Sequence, residues 1–195
     1  MILKMMNPVN PRQFALNPAD YGLPTRDELV KLRIWDLHYH GLWEGDLHRH
    51  EETLFYVDRM GIERMLSLDI AGSPRDPLGT SLSAEQKREI REFLENNTDR
   101  VSGLIPIDPS QPAASCRKIE EWVRNGPCIG IKYYGGNPGG ICCSHPNNDR
   151  VIRLAAELNA LVYIHTWMKV GGEPRRPGGD NIAGESTPRD VALLA

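Results

Sequence analysis

Short apolar segments recur along this chain at a spacing of about 30 residues, and each is followed by a stretch of helical periodicity. Candidate strands read Ile34–His40, Arg64–Ile70, Val101–Ile107, Cys128–Tyr134 and Leu161–His165. The first is followed by a helix from about Glu51 to Met60, stopped at Gly61, where a residue tolerant of positive φ is wanted. Ser83 and Gln86 form a capping box ahead of a helix that buries Ile90, Phe93 and Leu94. A third helix carries Cys116, Ile119 and Val123 on one stripe and ends at Asn125-Gly126. Asn148 or Asp149 caps a fourth, with Val151, Leu154, Ala155 and Leu158 inside, and Thr187-Pro188-Arg189-Asp190 opens a fifth.

A βα unit takes about 30 residues, and strict alternation forces parallel strands joined by right-handed crossovers. Two architectures satisfy that: an open doubly wound sheet and a closed eight-stranded barrel. The glycine fingerprint of a nucleotide-binding sheet is missing after the first strand, where residues 38–42 read His-Tyr-His-Gly-Leu. A closed barrel takes about 250 residues. The expectation is therefore an α/β protein of (β/α)8 TIM-barrel type, incomplete, with about five βα units in its 195 residues. A small complete α/β sheet is the alternative. Residues 1–31, with Pro8, Pro11, Pro18 and Pro24, read as an N-terminal extended arm holding a short helix near Asp27–Leu32; residues 32–195 form the barrel portion. An open sheet edge predicts poor solubility or association, a homo-oligomer being one outcome.

Composition narrows the function. Lys plus Arg number 23 against 26 Asp plus Glu, a net charge of −3 with no basic field for nucleic acid. No apolar run approaches the roughly 20 residues of a membrane span, and MILKMM is too short for a signal-peptide core. The four cysteines include an adjacent pair, Cys142-Cys143, so reduced thiols in a cytoplasmic protein are expected.

The first strand carries the chemistry. His38 and His40 form an H-x-H pair on one strand face with Asp36 beside them, roughly 6.6 Å between Cα atoms, and two imidazoles so placed can converge on one cation. Trp35, Leu37 and Tyr39 then face the covering helices. His165 ends the fifth strand at the same end of the sheet. On the fourth strand Lys132 points inward beside Gly130 and Tyr134, and an inward lysine needs a counter-charge, a modification or a substrate. Three further features have ordinary readings. A second H-x-H, His48 and His50, precedes the first helix and reads as solvated, with His50 a candidate at the substrate mouth. Cys142-Cys143-Ser144-His145 reads as a loop over the fourth strand's end. Trp167, a further candidate substrate contact, begins a Gly-rich stretch to Glu185 that includes Arg175-Arg176; this is either a lid or a plain loop.

Asp36-Leu37-His38-Tyr39-His40 resembles the D-x-H-x-H opening of the amidohydrolase superfamily. Met60-Gly61-Ile62-Glu63-Arg64, Gly130-Ile131-Lys132, Val162-Tyr163-Ile164-His165-Thr166 and Ser186-Thr187-Pro188-Arg189-Asp190 are similar to the amidohydrolase-related group of metal-dependent hydrolases and aminocarboxymuconate-type decarboxylases. The resemblance covers residues 33–195 and implies a (β/α)8 barrel with one or two divalent metals, commonly zinc. On that pattern His38 and His40 match the strand-one ligands and His165 the strand-five ligand. In two-metal branches a strand-four lysine is carboxylated and bridges the ions, and Lys132 matches that place. The pattern's strand-six histidine and its proton-transfer aspartate of strand eight fall beyond Ala195. The implied activity is metal-dependent hydrolysis of a C–N or ester bond in a small molecule. Decarboxylation on the same fold, or a non-catalytic fragment, is the alternative.

Overall fold

A computed structural model describes residues 22–41, 47–134, 138–166 and 184–195. Most of the proline-rich arm, Trp167 and nearly all of the Gly-rich stretch after it, including Arg175-Arg176, lie outside the described residues, as does the side chain of His48. Five strands, β1 (Ile34–Tyr39), β2 (Ile62–Ser67), β3 (Val101–Pro106), β4 (Cys128–Tyr133) and β5 (Leu161–Ile164), form one sheet in the order β1-β2-β3-β4-β5. All four pairings are parallel. The helices are α1 (Arg26–Lys31), α2 (Leu47–Arg59), α3 (Ala84–Asn96), α4 (Pro112–Ile119), α5 (Asp149–Glu157) and α6 (Pro188–Leu194). The architecture is the incomplete (β/α) barrel that the alternation predicts: a curled half-barrel of five strands with helices between them. No helix among the described residues is long and apolar enough to cross a membrane.

The capping signals act as read. Ser83 accepts from the Gln86 amide while its own N–H donates to Gln86 Oε1, and Thr187 and Asp190 exchange the same pair of bonds at the start of α6. Gly61 ends α2 at φ 66°, and a Cβ there would stand 2.6 Å from the Cβ of Leu29 on α1. The main core lies between the helices and the outer sheet face. Met65, Ile105 and Ile131 from the strands meet Ile90, Phe93, Leu94, Ile119, Trp122, Val151 and Ala155 from the helices. Each buried Met, Ile, Leu, Val or Phe among these contributes about 1.5–3 kcal/mol relative to an exposed one. The inner face holds a smaller cluster, Leu66, Leu68 and Leu104, with Tyr163 half-buried against it.

Four local expectations change. Helix α2 starts at Leu47, a turn before Glu51, so His50 is helical and fully buried rather than solvated. His50, Leu54 and Val57 follow one helical stripe, and the His50 ring packs on Phe93 of α3 with centroids 4.7 Å apart. Helix α4 passes into a π-helical turn, Glu120–Arg124; the wider turn buries Trp122 and leaves Val123 half-buried. Arg91 of α3 lies over the Trp122 ring at 4.9 Å and donates to the Glu121 and Asn125 carbonyls. Asn148 does not cap α5 with its side chain; that amide instead donates to the Cys142 and Cys143 carbonyls and accepts from Tyr133.

The fourth change is in β1, whose register on β2 shifts between Ile34 and Trp35 and again between Asp36 and Tyr39. Each shift breaks the simple alternation of faces. Trp35 pairs with Arg64, whose guanidinium lies 5.7 Å from the indole, on the face that carries Leu66. Only Tyr39 reaches the helix-side core, while Trp35 and Leu37 are 54% and 57% exposed.

Gly130 marks the closest approach of β4 to β5: a Cβ there would collide with the Leu161 backbone carbonyl. Backbone cannot swing aside as a side chain can. Gly130→Ala is expected to destabilise the chain by about 1–3 kcal/mol, as overpacking does, seen as a lower chemical-denaturation midpoint; an unchanged midpoint would contradict this close approach.

Candidate metal centre

The C-terminal ends of parallel strands carry the functional groups of barrel enzymes, and the chemistry-bearing side chains gather there. His38 and His40 come from the end of β1, Lys132 and Tyr134 from β4, Tyr163 and His165 from β5, and Asp69 from the segment just past β2. The shifted β1 register still leaves both imidazoles together. Their Nε2 atoms face each other at 3.0 Å, with ring centroids 4.9 Å apart. Asp36 sits beside the pair without joining it; its carboxylate accepts from the His38 backbone N–H at 2.9 Å.

Each ring is anchored at its other nitrogen. His40 Nδ1–H donates to Asp69 Oδ2 in a short hydrogen bond, since a carboxylate can only accept. Asp69 is fully buried, and its second oxygen accepts from the Tyr134 hydroxyl at 2.6 Å. His38 Nδ1 is 2.8 Å from the Tyr163 hydroxyl. With Nδ1 of both rings engaged, the two Nε2 atoms are the donors left facing each other. With a proton on one Nε2 the contact is an N–H···N hydrogen bond; with neither protonated the two lone pairs share one direction, and a cation can take the proton's place. An ion at the about 2.0–2.1 Å of an imidazole–metal bond reaches both.

His165 stands one ring away, its centroid 6.4 Å from that of His38. Among the described residues no three His, Cys, Asp or Glu side chains are gathered tightly enough to hold a metal, so the third imidazole is close without closing the set. Burial, then the charges of Lys132 and His40, lowers the pKa of His38; burial, then Lys132 and the other two histidines, does the same to His165. Both rings are thereby biased toward the neutral form that binds metals.

Lys132 is fully buried, and its Nζ has no hydrogen-bond partner among the described residues. It lies 4.2 Å from the centre of the Tyr163 ring. Burial pushes its pKa down to about 8, with Asp69 pulling the other way. Tyr134 is almost wholly buried, and burial together with the Asp69 charge raises its pKa, so its proton stays in the bond to Asp69. His50 lies away from this group, in the α2–α3 packing. Two members were not singled out from sequence, Asp69 and Tyr163. A carboxylate inside the apolar run Met65-Leu66-Ser67-Leu68-Asp69-Ile70 was the available signal for the first. Tyr163 alternates with His165 along β5 and pairs in register with Lys132.

No family model and no curated protein matches the chain. Solved structures do. The 5-carboxyvanillate decarboxylase LigW of Sphingomonas paucimobilis is 19% identical with a TM-score of 0.50, over 73% of this chain and 45% of that one. A 5-carboxyvanillate decarboxylase of Novosphingobium aromaticivorans, determined with manganese and a nitrobenzoic acid, is 18% identical with a TM-score of 0.49, over 60% and 34%. A Staphylococcus aureus protein put forward as an amidohydrolase is 15% identical with a TM-score of 0.48, over 72% and 48%. The chain thus spans between a third and half of the length of these proteins, and its likeness to the Sphingomonas paucimobilis structure, at 19% identity, is one of fold.

Asp69→Ala strands the buried Tyr134 hydroxyl, at about 1–3 kcal/mol, and releases the ring N–H of the partly exposed His40. The Asp69→Ala and Tyr134→Phe losses, read from denaturation midpoints, are expected to be less than additive in the double variant, since both remove one bond. Strict additivity would mean that the bond contributes nothing.

Proposed function

We propose that the facing histidines are the metal site of a metal-dependent enzyme of the amidohydrolase type acting on a small molecule, with His38 and His40 as ligands from β1 and His165 as the ligand from β5. The observation that carries this reading is the pair of Nε2 atoms 3.0 Å apart, each on a ring anchored through Nδ1. Such outer-shell partners fix tautomer and ring orientation in metal sites. Bound there, a divalent cation supplies Lewis acidity toward a carbonyl or carboxylate oxygen.

The chain's own groups do the rest. Asp69, accepting from His40 Nδ1–H, sets the neutral ring in the tautomer whose Nε2 lone pair faces His38 and makes that nitrogen a stronger ligand. Tyr134 holds Asp69 in place through its other oxygen. Tyr163 steadies His38 and presents its ring to Lys132. His38 is exposed and His40 is 38% exposed in its side chain, so a substrate has access to the pair.

Between the two reactions, decarboxylation is favoured over hydrolysis of a C–N or ester bond. The support is Lys132, a buried cation beside the histidines that suits a carboxylate better than a neutral amide. The LigW decarboxylase shares the fold. Hydrolysis remains the second reading, favoured by the D-x-H-x-H opening, Asp36 to His40.

Metal analysis and titration of the full chain with manganese and with zinc test the site. About one ion per chain is expected, with affinity lowered by about 10–100-fold in Asp69→Asn and metal lost from the His38→Ala/His40→Ala double variant. Stoichiometric metal in that double variant would refute the ligand assignment.

A further inference from the structure

Helices α4 and α5 pack against each other on the outer sheet face, with Ile119 and Val151 in the helix-side core. Between them runs a groove of about 690 Å3, within the size range of small-molecule sites. Arg117 of α4 and Arg150 and Arg153 of α5 line it, all three exposed. No hydrogen bond or ion pair engages these guanidiniums among the described residues, although Glu120, Asp149 and Glu157 line the same groove. Glu120 and Glu157 are both bonded to Arg124 instead. Arg150 and Arg153 stand three residues apart on one helix, where like charges repel, and Arg117 adds a third positive charge from the facing helix. One end of the groove therefore carries three unengaged guanidiniums against the single charge of Asp149. The two paired glutamates come one turn further along each helix.

We propose that the groove between α4 and α5 is a binding site for the phosphate group of a small molecule, held as the free ion or as a monoester. A phosphate monoester carries about −1.5 to −2 charges at neutral pH and presents three acceptor oxygens. Three planar guanidinium forks from two helices match that charge and that number of acceptors, and a carboxylate, with one charge and two oxygens, would leave part of them idle. An extended polyanion would have to pass Glu120 and Glu157, so a compact anion is the fitting occupant. Ala113 and Leu154 line the groove too and offer an apolar wall for the body of an ester. The groove lies on the helix side, whereas the histidine pair sits at the strand ends, so its ligand is separate from the substrate of the histidines. Spanning two helices, it would stabilise the fold by mass action.

Inorganic phosphate and phenyl phosphate, titrated into the metal-free full chain at constant ionic strength, test this through the arginine Nε–Hε NMR signals. Both are expected to shift the Arg117, Arg150 and Arg153 signals together, saturating at one ion per chain with a dissociation constant of about 1 mM or below. Arg75, an exposed arginine likewise without an ion pair among the described residues, is expected to stay in place. The tighter of the two probes tells whether an ester or the free ion is held. Arg150→Gln/Arg153→Gln is expected to weaken binding about tenfold or more, read on the Arg117 signal. Signals that do not move, shifts that never saturate, shifts that move Arg75 equally, or an affinity that survives the double variant would each overturn the proposal. The wild-type titration stands whether or not the variant folds, and it is independent of the histidine ligand assignment.

Discussion

One buried carboxylate ties the upper edge of this sheet together. Asp69 follows β2, yet it is hydrogen-bonded to His40 from the end of β1 and to Tyr134 from the end of β4. Parallel strands offer no hairpin contacts at their ends, so something other than the ladder must set how those ends converge. Here that is a pair of charge-assisted bonds to a carboxylate that is itself fully buried, where their loss is most disruptive. The histidine geometry follows from it. With His40 held at Nδ1, its Nε2 has one direction to point, and His38, held in turn by Tyr163, points back.

The two faces of the sheet differ in how complete they are. The outer face is a continuous core in which Ile90, Ile119, Ile131, Val151 and Ala155 are shut off from water. The inner face has a small cluster around Leu104, and beyond it Trp35, Leu37 and Leu161 remain 54%, 57% and 45% exposed. In a closed barrel these positions would be covered by side chains from the far side of the cylinder. The helix-side core therefore holds most of the buried apolar side chains among the described residues.

Much of this was legible in the sequence because it depends on local chemistry. The period of the apolar segments gave the βα alternation. Ser83/Gln86 and Thr187/Asp190 announced their helices through bonds that span three residues. The H-x-H pair on β1 was visible for the same reason. What was not legible depends on partners distant in sequence. Nothing in residues 34–40 shows that β1 will slip twice against β2, exposing Trp35 and Leu37. His50 looked like a solvated loop residue because its burial is created by Phe93, 43 positions later. Asp69 was passed over as a strand residue, since its meaning lies in two side chains supplied by β1 and β4. The π turn at Glu120–Arg124 hides similarly, as its reward is the Arg91–Trp122 contact with another helix.

Where local rules are broken matters more than how often. Sequences specify folds by consistency across levels, and real proteins depart from it where function requires. On the helix side, Lys118 is buried and donates to the Ala71 and Pro77 carbonyls, each at 2.7 Å. On the inner side, Lys132 is fully buried and has no such acceptor among the described residues. The same chain therefore satisfies a buried ammonium where the site asks only for stability. It leaves another unsatisfied within one tyrosine of the histidine pair. The departure falls on the sheet face and at the strand ends where His38, His40, Asp69 and Tyr163 also meet.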